Sequence, residues 1–223
     1  MKIRKNKITQ FFSKLGRDTS GLAMIEFGYT LPLLMTLGGF GLEMSHLTNT
    51  NHKLSQAGMA LADNMSRVGQ LTALSTTQIR ESDIVDSFIG MKRQTGDLNI
   101  TANGRVILSS LQTNATGGQW IQWQRCIGTK VIPSAYGAQG IGITGSNFLG
   151  MGPSAARVTA PPGSAVMFVE IVYDYRSLFG TMFIPARTIR YEASFIVRDE
   201  RDLTQIFNPS PAATVHSCNT YAT

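Results

Sequence analysis

Glu26 is the only charged side chain between Gly21 and Leu42, in the run GLAMIEFGYTLPLLMTLGGFGL. If that run lies in hydrocarbon, a carboxylate there costs on the order of 2.5–3.5 kcal/mol and is a functional candidate by default. The plain alternative is an acid at the hydrated edge of the bilayer. The other chemistry-bearing residues are sparse. Cys126 and Cys218 are the two cysteines; beyond a membrane, in an oxidising compartment, they are able to pair, and otherwise they are two free thiols. Gly140, Gly142 and Gly145 have dinucleotide-fingerprint spacing, but no strand leads into them and no helix follows, so the phosphate cradle is missing. His46 and His52 do not share a helix face, and His216 beside Cys218 has no further metal ligand nearby. Asp199, Glu200 and Asp202 alternate with Arg198 and Arg201 and read as a solvated strand end rather than a carboxylate dyad. No nucleophile-elbow, zinc-protease, Cys-x-x-Cys or Walker pattern occurs. The expectation is a non-enzymatic protein with no cofactor, metal or small-molecule substrate.

The elements that would position Glu26 follow from charge and hydropathy. The chain has 223 residues, with 20 Lys and Arg against 14 Asp and Glu, and only 15% charged residues against the ~25% of an average domain. Its length suffices for one domain with a real core and an appendage. Within residues 1–20, Lys2, Arg4, Lys5, Lys7, Lys14 and Arg17 face Asp18 alone, so the formal +6 is nearly all tail. The rest of the chain is close to neutral, which argues against a nucleic-acid face. Residues 1–21 therefore read as a basic leader and 22–44 as a transmembrane helix, since about 20 apolar residues cross a bilayer. The basic flank predicts a cytoplasmic N-terminus and an outward C-terminal domain. A cleaved secretory signal is second: the run is long, Pro32 lies inside it, and EMSHLTNT at 43–50 offers no small-x-small site.

Gly21, four residues, then Glu26-Phe27 resembles the processing motif of prepilins in the tight-adherence (Tad) branch of type IV pili. EFGYTLP, with Pro32 six residues after Glu26, resembles the TadE-like family. The resemblance covers residues 16–45. It implies a minor pilin or pseudopilin, larger than a short major pilin, held in a bacterial inner membrane with its outer domain in the periplasm or in the pilus. It also implies a cut between Gly21 and Leu22 by a prepilin peptidase, and other pilins and Tad assembly proteins as partners. Such a cut would give Leu22 an α-amino group, mostly cationic near neutral pH from a reference pKa of ~7.7–8.0. Glu26 of one subunit would then neutralise the Leu22 amine of its neighbour, giving helix assembly a register. Pro32 and the Gly38, Gly39, Gly41 cluster weaken this helix, either to let it kink in a bundle or through ordinary membrane tolerance. The rival reading is a single-pass membrane protein whose outer domain binds a ligand or surface without a pilus.

Leu47, Leu54, Leu61 and Val68 recur every seven residues, with Ala57, Gly58 and Met65 near that face. This predicts a stalk helix over 45–69 that packs on the chain's own sheet, stopping at Gly69. A second helix is expected over Thr76–Met91. Strand-like runs lie at 97–102 and 105–112 around an Asn103-Gly104 hairpin signal, and at 119–126. In 165–175, Met167, Val169, Ile171, Tyr173 and Tyr175 share one face; in 188–197, Ile189, Tyr191, Ala193, Phe195 and Val197 do. The expected class is α+β, with residues 70–223 forming a mainly antiparallel, pilin-like domain. Residues 133–163, with seven glycines and four prolines, read as a long loop that docks on a partner or packs on its own sheet.

Overall fold

A computed structural model describes residues 3–71 and 77–221. The basic tail is itself helical, as α1 (Ile3–Leu15), and ends where the Gly16 amide bonds back to Phe12. Asp18 then turns the chain: its carboxylate accepts hydrogen bonds from the Ser20 amide at 3.0 Å and the Ser20 hydroxyl at 2.5 Å. From there α2 (Ser20–Arg67) runs for 48 residues, about 72 Å at 1.5 Å per residue. Pro32 lies inside it and the helix continues. Gly28, four residues back, has no side chain to add to the clash at the proline ring.

The outer half of α2 bears the predicted stripe. Leu54, Ala57, Leu61 and Met65 are fully buried, and Val68 closes the helix with its amide on the Asn64 carbonyl. The end comes two residues before the expected Gly69. Arg201 completes it, donating to the Met65 and Ser66 carbonyls at 3.0 and 2.6 Å, a cation where the helix dipole favours one. The carbonyls would otherwise be orphaned.

A short pair follows, β1 (Gln70–Leu71) with β2 (Thr77–Gln78), and then α3 (Glu81–Thr95). The second helix thus starts and ends later than expected, and Thr76 lies outside the described residues. The Asp83 carboxylate accepts from the Arg80 amide at 2.9 Å and fixes the start. Gly90 faces open space, so the helix passes through it to Gly96.

Residues 97–102 are not a strand. They form a 3-10 turn over Gly96–Leu98 and the one-turn α4 (Ile100–Asn103), separated by Asn99 in the left-handed region at φ 46°. Leu98 and Ile100 are both buried in the core, and a strand would also set these i, i+2 residues on one face, so their spacing alone does not separate the two backbones. Asn103-Gly104 consequently opens a strand instead of turning a hairpin. Gly104 is required there, because a Cβ would lie 2.5 Å from the Val172 carbonyl oxygen.

The sheet has four antiparallel strands in the order β4-β3-β5-β6: β3 (Gly104–Thr113), β4 (Gln119–Ile127), β5 (Ala165–Asp174) and β6 (Thr188–Ile196). One face carries Val106, Leu108, Met167, Val169 and Ile171 against α2 and α3. Both predicted stripes of β5 and β6 belong to it, with Tyr191 and Phe195 partly buried. At Gly58 the helix comes so close that a Cβ would meet the Tyr191 ring at 2.8 Å. The protein is α+β, a long N-terminal helix followed by an antiparallel sheet.

The opposite face is covered by the glycine-rich loop. Tyr136, Phe148, Met151 and Ala160 pack on Leu111, Ile121, Val166 and Phe168 as a second, smaller core. Tyr136, Phe148 and Met151 of this loop thus pack on the chain's own sheet, whereas Ile141, Ile143 and Leu149 remain exposed. The Cys126–Cys218 disulfide, closing 92 residues, ties the C-terminal tail beside β4. Arg105, buried under that tail, donates to the carbonyls of Gly128, Cys218 and Thr220 at 2.7–2.8 Å and lies 4.3 Å from the Tyr221 ring centre.

Candidate functional site: the bare half of the long helix and its neck

Residues Ser20 to Leu42 of α2 stand clear of the sheet. Leu22, Phe27, Leu33, Leu34 and Leu37 are all more than half exposed, and an 18-residue window of this helix is apolar enough, with none of it buried, to cross a membrane. An apolar helix surface exposed on all sides does not fit water; lipid or other helices would have to cover it.

Every residue singled out in the N-terminal motif lies on this bare half. The Gly21–Leu22 peptide bond is in the first turn, with the Leu22 amide on the Thr19 carbonyl at 3.1 Å. A Cβ at Gly21 would meet nothing within 4 Å, so that side of the backbone is open. Glu26, Phe27 and Pro32 follow, all exposed, within about 17 Å of Gly21 along the axis. Among the described residues no side chain or backbone donor meets the Glu26 carboxylate. The structure therefore brings the motif together on one helix and leaves the Glu26 carboxylate without a partner among the described residues.

Thr30 and Thr36 use their hydroxyls on the carbonyls four residues back, Glu26 and Pro32, at 2.9 and 2.8 Å. These bonds satisfy polar groups that a bilayer could not.

At the outer end of the bare segment lies a neck that sequence reasoning missed. Glu43 is fully buried. Its carboxylate accepts the Tyr175 hydroxyl at 2.6 Å and the Leu178 and Phe179 amides at 3.0 and 3.1 Å. His46 adds a bond to the Arg176 carbonyl at 3.1 Å, with its ring 5.6 Å from that of Tyr175. Burial raises the Tyr175 phenol above its ordinary value, and the neighbouring Glu43 carboxylate adds to this, so the hydroxyl stays a donor. The neck thus fixes the β5–β6 connection against α2. Phe183 lies on the helix at Gly39, where a Cβ would sit 2.8 Å from its ring, and stacks edgewise on Phe40 and Phe179.

The remaining polar cluster is on the far face of the sheet. Glu170 is buried and accepts the Ser134 hydroxyl at 2.5 Å and the Ala135 amide at 2.8 Å. Burial raises its carboxyl above the ordinary value despite those donors. Its cross-strand partner Glu192 accepts the Tyr136 hydroxyl at 2.6 Å. Each acid spends its bonds on the glycine-rich loop, which makes the pair a fastener. Among the described residues, no three or more His, Cys, Asp and Glu side chains gather in a way that would hold a metal. Arg198–Asp202 is not merely a solvated strand end either, since the Arg201 side chain is fully buried and pairs with Asp199 at 2.6 Å. Compared with known proteins, the chain matches no family model, no curated protein and no solved structure.

Proposed function

We propose that this protein is a non-enzymatic minor pilin or pseudopilin of a tight-adherence pilus, anchored in the inner membrane by the N-terminal half of α2, with the sheet domain on the periplasmic side. The observation that carries the reading is the Gly21-Leu22, Glu26-Phe27 and Pro32 pattern displayed on a bare apolar helix, with a solitary carboxylate at Glu26. A carboxylate alone in lipid is unfavourable, and the α-amine freed at Leu22 of an adjacent subunit would relieve it. The basic flank supports a cytoplasmic leader, and the Cys126–Cys218 bond suits an oxidising compartment for the domain. The partners of this reading are membrane lipid, a prepilin peptidase, and other pilins and assembly proteins of the same machine.

The test is mass spectrometry of the mature N-terminus from detergent-extracted membranes. A chain beginning at Leu22 supports the reading, and one cut elsewhere within residues 22–50 replaces it with a secretory signal. Loss of pili on deletion of the gene would further separate it from a membrane-bound receptor acting alone.

A further inference from the structure

The connection between β5 and β6 projects apolar side chains that the fold does not use. Leu178 is 56% exposed, Phe179 42% and Met182 76%. They are not scattered. Phe179 and Met182, with Phe183, line one side of an apolar groove whose other side is Leu34, Met35, Gly38, Gly39 and Leu42 of the bare helix.

We infer that residues 176–184 form a second membrane contact, a collar that sinks its apolar tip into the outer side of the bilayer next to the helix. The inference rests on the membrane-spanning reading of α2 and adds a lipid-binding surface to the sheet domain.

Depth supports it. Leu22 to Leu42 spans about 30 Å along the helix axis, the thickness of a hydrocarbon core. Glu43 therefore falls at the boundary, and Gly39, against which Phe183 rests, lies one turn or about 6 Å deeper. Side chains that sit 5–10 Å below the headgroups are the usual depth for an element lying in the interface. An irregular loop tolerates that depth only if its backbone is satisfied, and three of its backbone groups have partners here. Glu43 takes the Leu178 and Phe179 amides, and the Ser177 hydroxyl bonds the Gly180 carbonyl at 2.5 Å. The base of the loop carries two exposed cations, Arg176 and Arg187, adjacent through the bond from the Tyr175 amide to the Arg187 carbonyl. Cations at that level match lipid phosphates. The surface is continuous with the exposed apolar segment of the helix, so the occupant that covers one covers the other: phospholipid.

The test uses the full chain in vesicles of phosphatidylethanolamine and phosphatidylglycerol. The native cysteines are paired, so Met182→Cys is labelled selectively with a nitroxide without reductant, and its collisions with oxygen and with a water-soluble nickel complex are compared. Leu33→Cys reports the helix and Leu149→Cys the water-facing loop. The expected result is oxygen dominance at 182, as at 33, and nickel dominance at 149. Nickel access at 182 with oxygen dominance at 33 overturns the collar and leaves the span intact. Exclusion of both reagents at 182 overturns it in favour of a second protein chain on this surface. Nickel access at both 33 and 182 removes the spanning helix and the collar together.

Discussion

The Glu43 carboxylate holds the Tyr175 hydroxyl at 2.6 Å across 132 residues of sequence, joining the helix to the end of β5 at the level where apolar exposure stops. Glu43→Ala leaves the Tyr175 hydroxyl and two loop amides without their acceptor. Each buried donor so orphaned costs about 1–3 kcal/mol. The expected outcome is a lower denaturation midpoint in detergent micelles and faster proteolysis within 176–184. Glu43→Gln, which keeps an acceptor oxygen, should lose less.

Glu26→Gln tests a different acid. Its side chain is exposed and meets no partner among the described residues, so the variant should fold, insert and survive carbonate extraction as the parent does. Under the proposed function it should be absent from sheared pili or from the assembly complex. Normal incorporation of Glu26→Gln would dispose of the pairing with the Leu22 amine.

Reduction of Cys126–Cys218 opens a loop of 92 residues. In the chain-entropy account this removes up to about 4–5 kcal/mol. Urea unfolding with and without reductant should show that loss, and limited proteolysis of the reduced protein should nick the tail after Asn208. An unchanged midpoint would mean that Arg105 and its three carbonyls hold the tail alone.

His216 gives the tail a pH dependence. Burial holds its imidazole below the ordinary 6.5, with Glu81 pulling it up and Lys92 and Arg125 pushing it down further. The unfolded chain then binds this proton more readily than the folded one. Stability is complete above pH 6.5 and declines as pH falls toward the lower folded value. His216→Leu, keeping an apolar contact with the Phe88 ring 5.9 Å away, should flatten thermal stability between pH 5 and 7 (roughly the imidazole range). Asp174, held low by Lys130 and Thr188 against the cost of its burial, acts only in stronger acid, below its ordinary 3.8.

The helix and the sheet were legible because their signals are periodic and span many residues. Leu47, Leu54 and Leu61 point one way for a whole stalk, and the alternating residues of β5 and β6 do so for whole strands. Glu43 was not seen, although it stands four residues before Leu47 on the same face; a charge at the end of an apolar run reads as the run's end. Arg201 was missed for a similar reason, since its role depends on a helix terminus 134 residues earlier in the chain. The run at 97–102 was misread because its apolar residues obey strand alternation while Asn99 takes a left-handed backbone, a tertiary choice that no local pattern announces. Packing of the glycine-rich loop on the sheet was legible as one of two readings of its apolar residues, because composition does not say which surface covers them.

An unbroken α2 leaves no swivel between anchor and sheet. Each residue of helical phase is about 100° of rotation, so under the proposed anchoring whichever side of the anchor faces a neighbouring helix would also dictate the compass heading of the domain outside. Neighbour choice beneath the surface would thus decide which strands and loops are displayed above it, and a flexible insertion near His46 would uncouple the two.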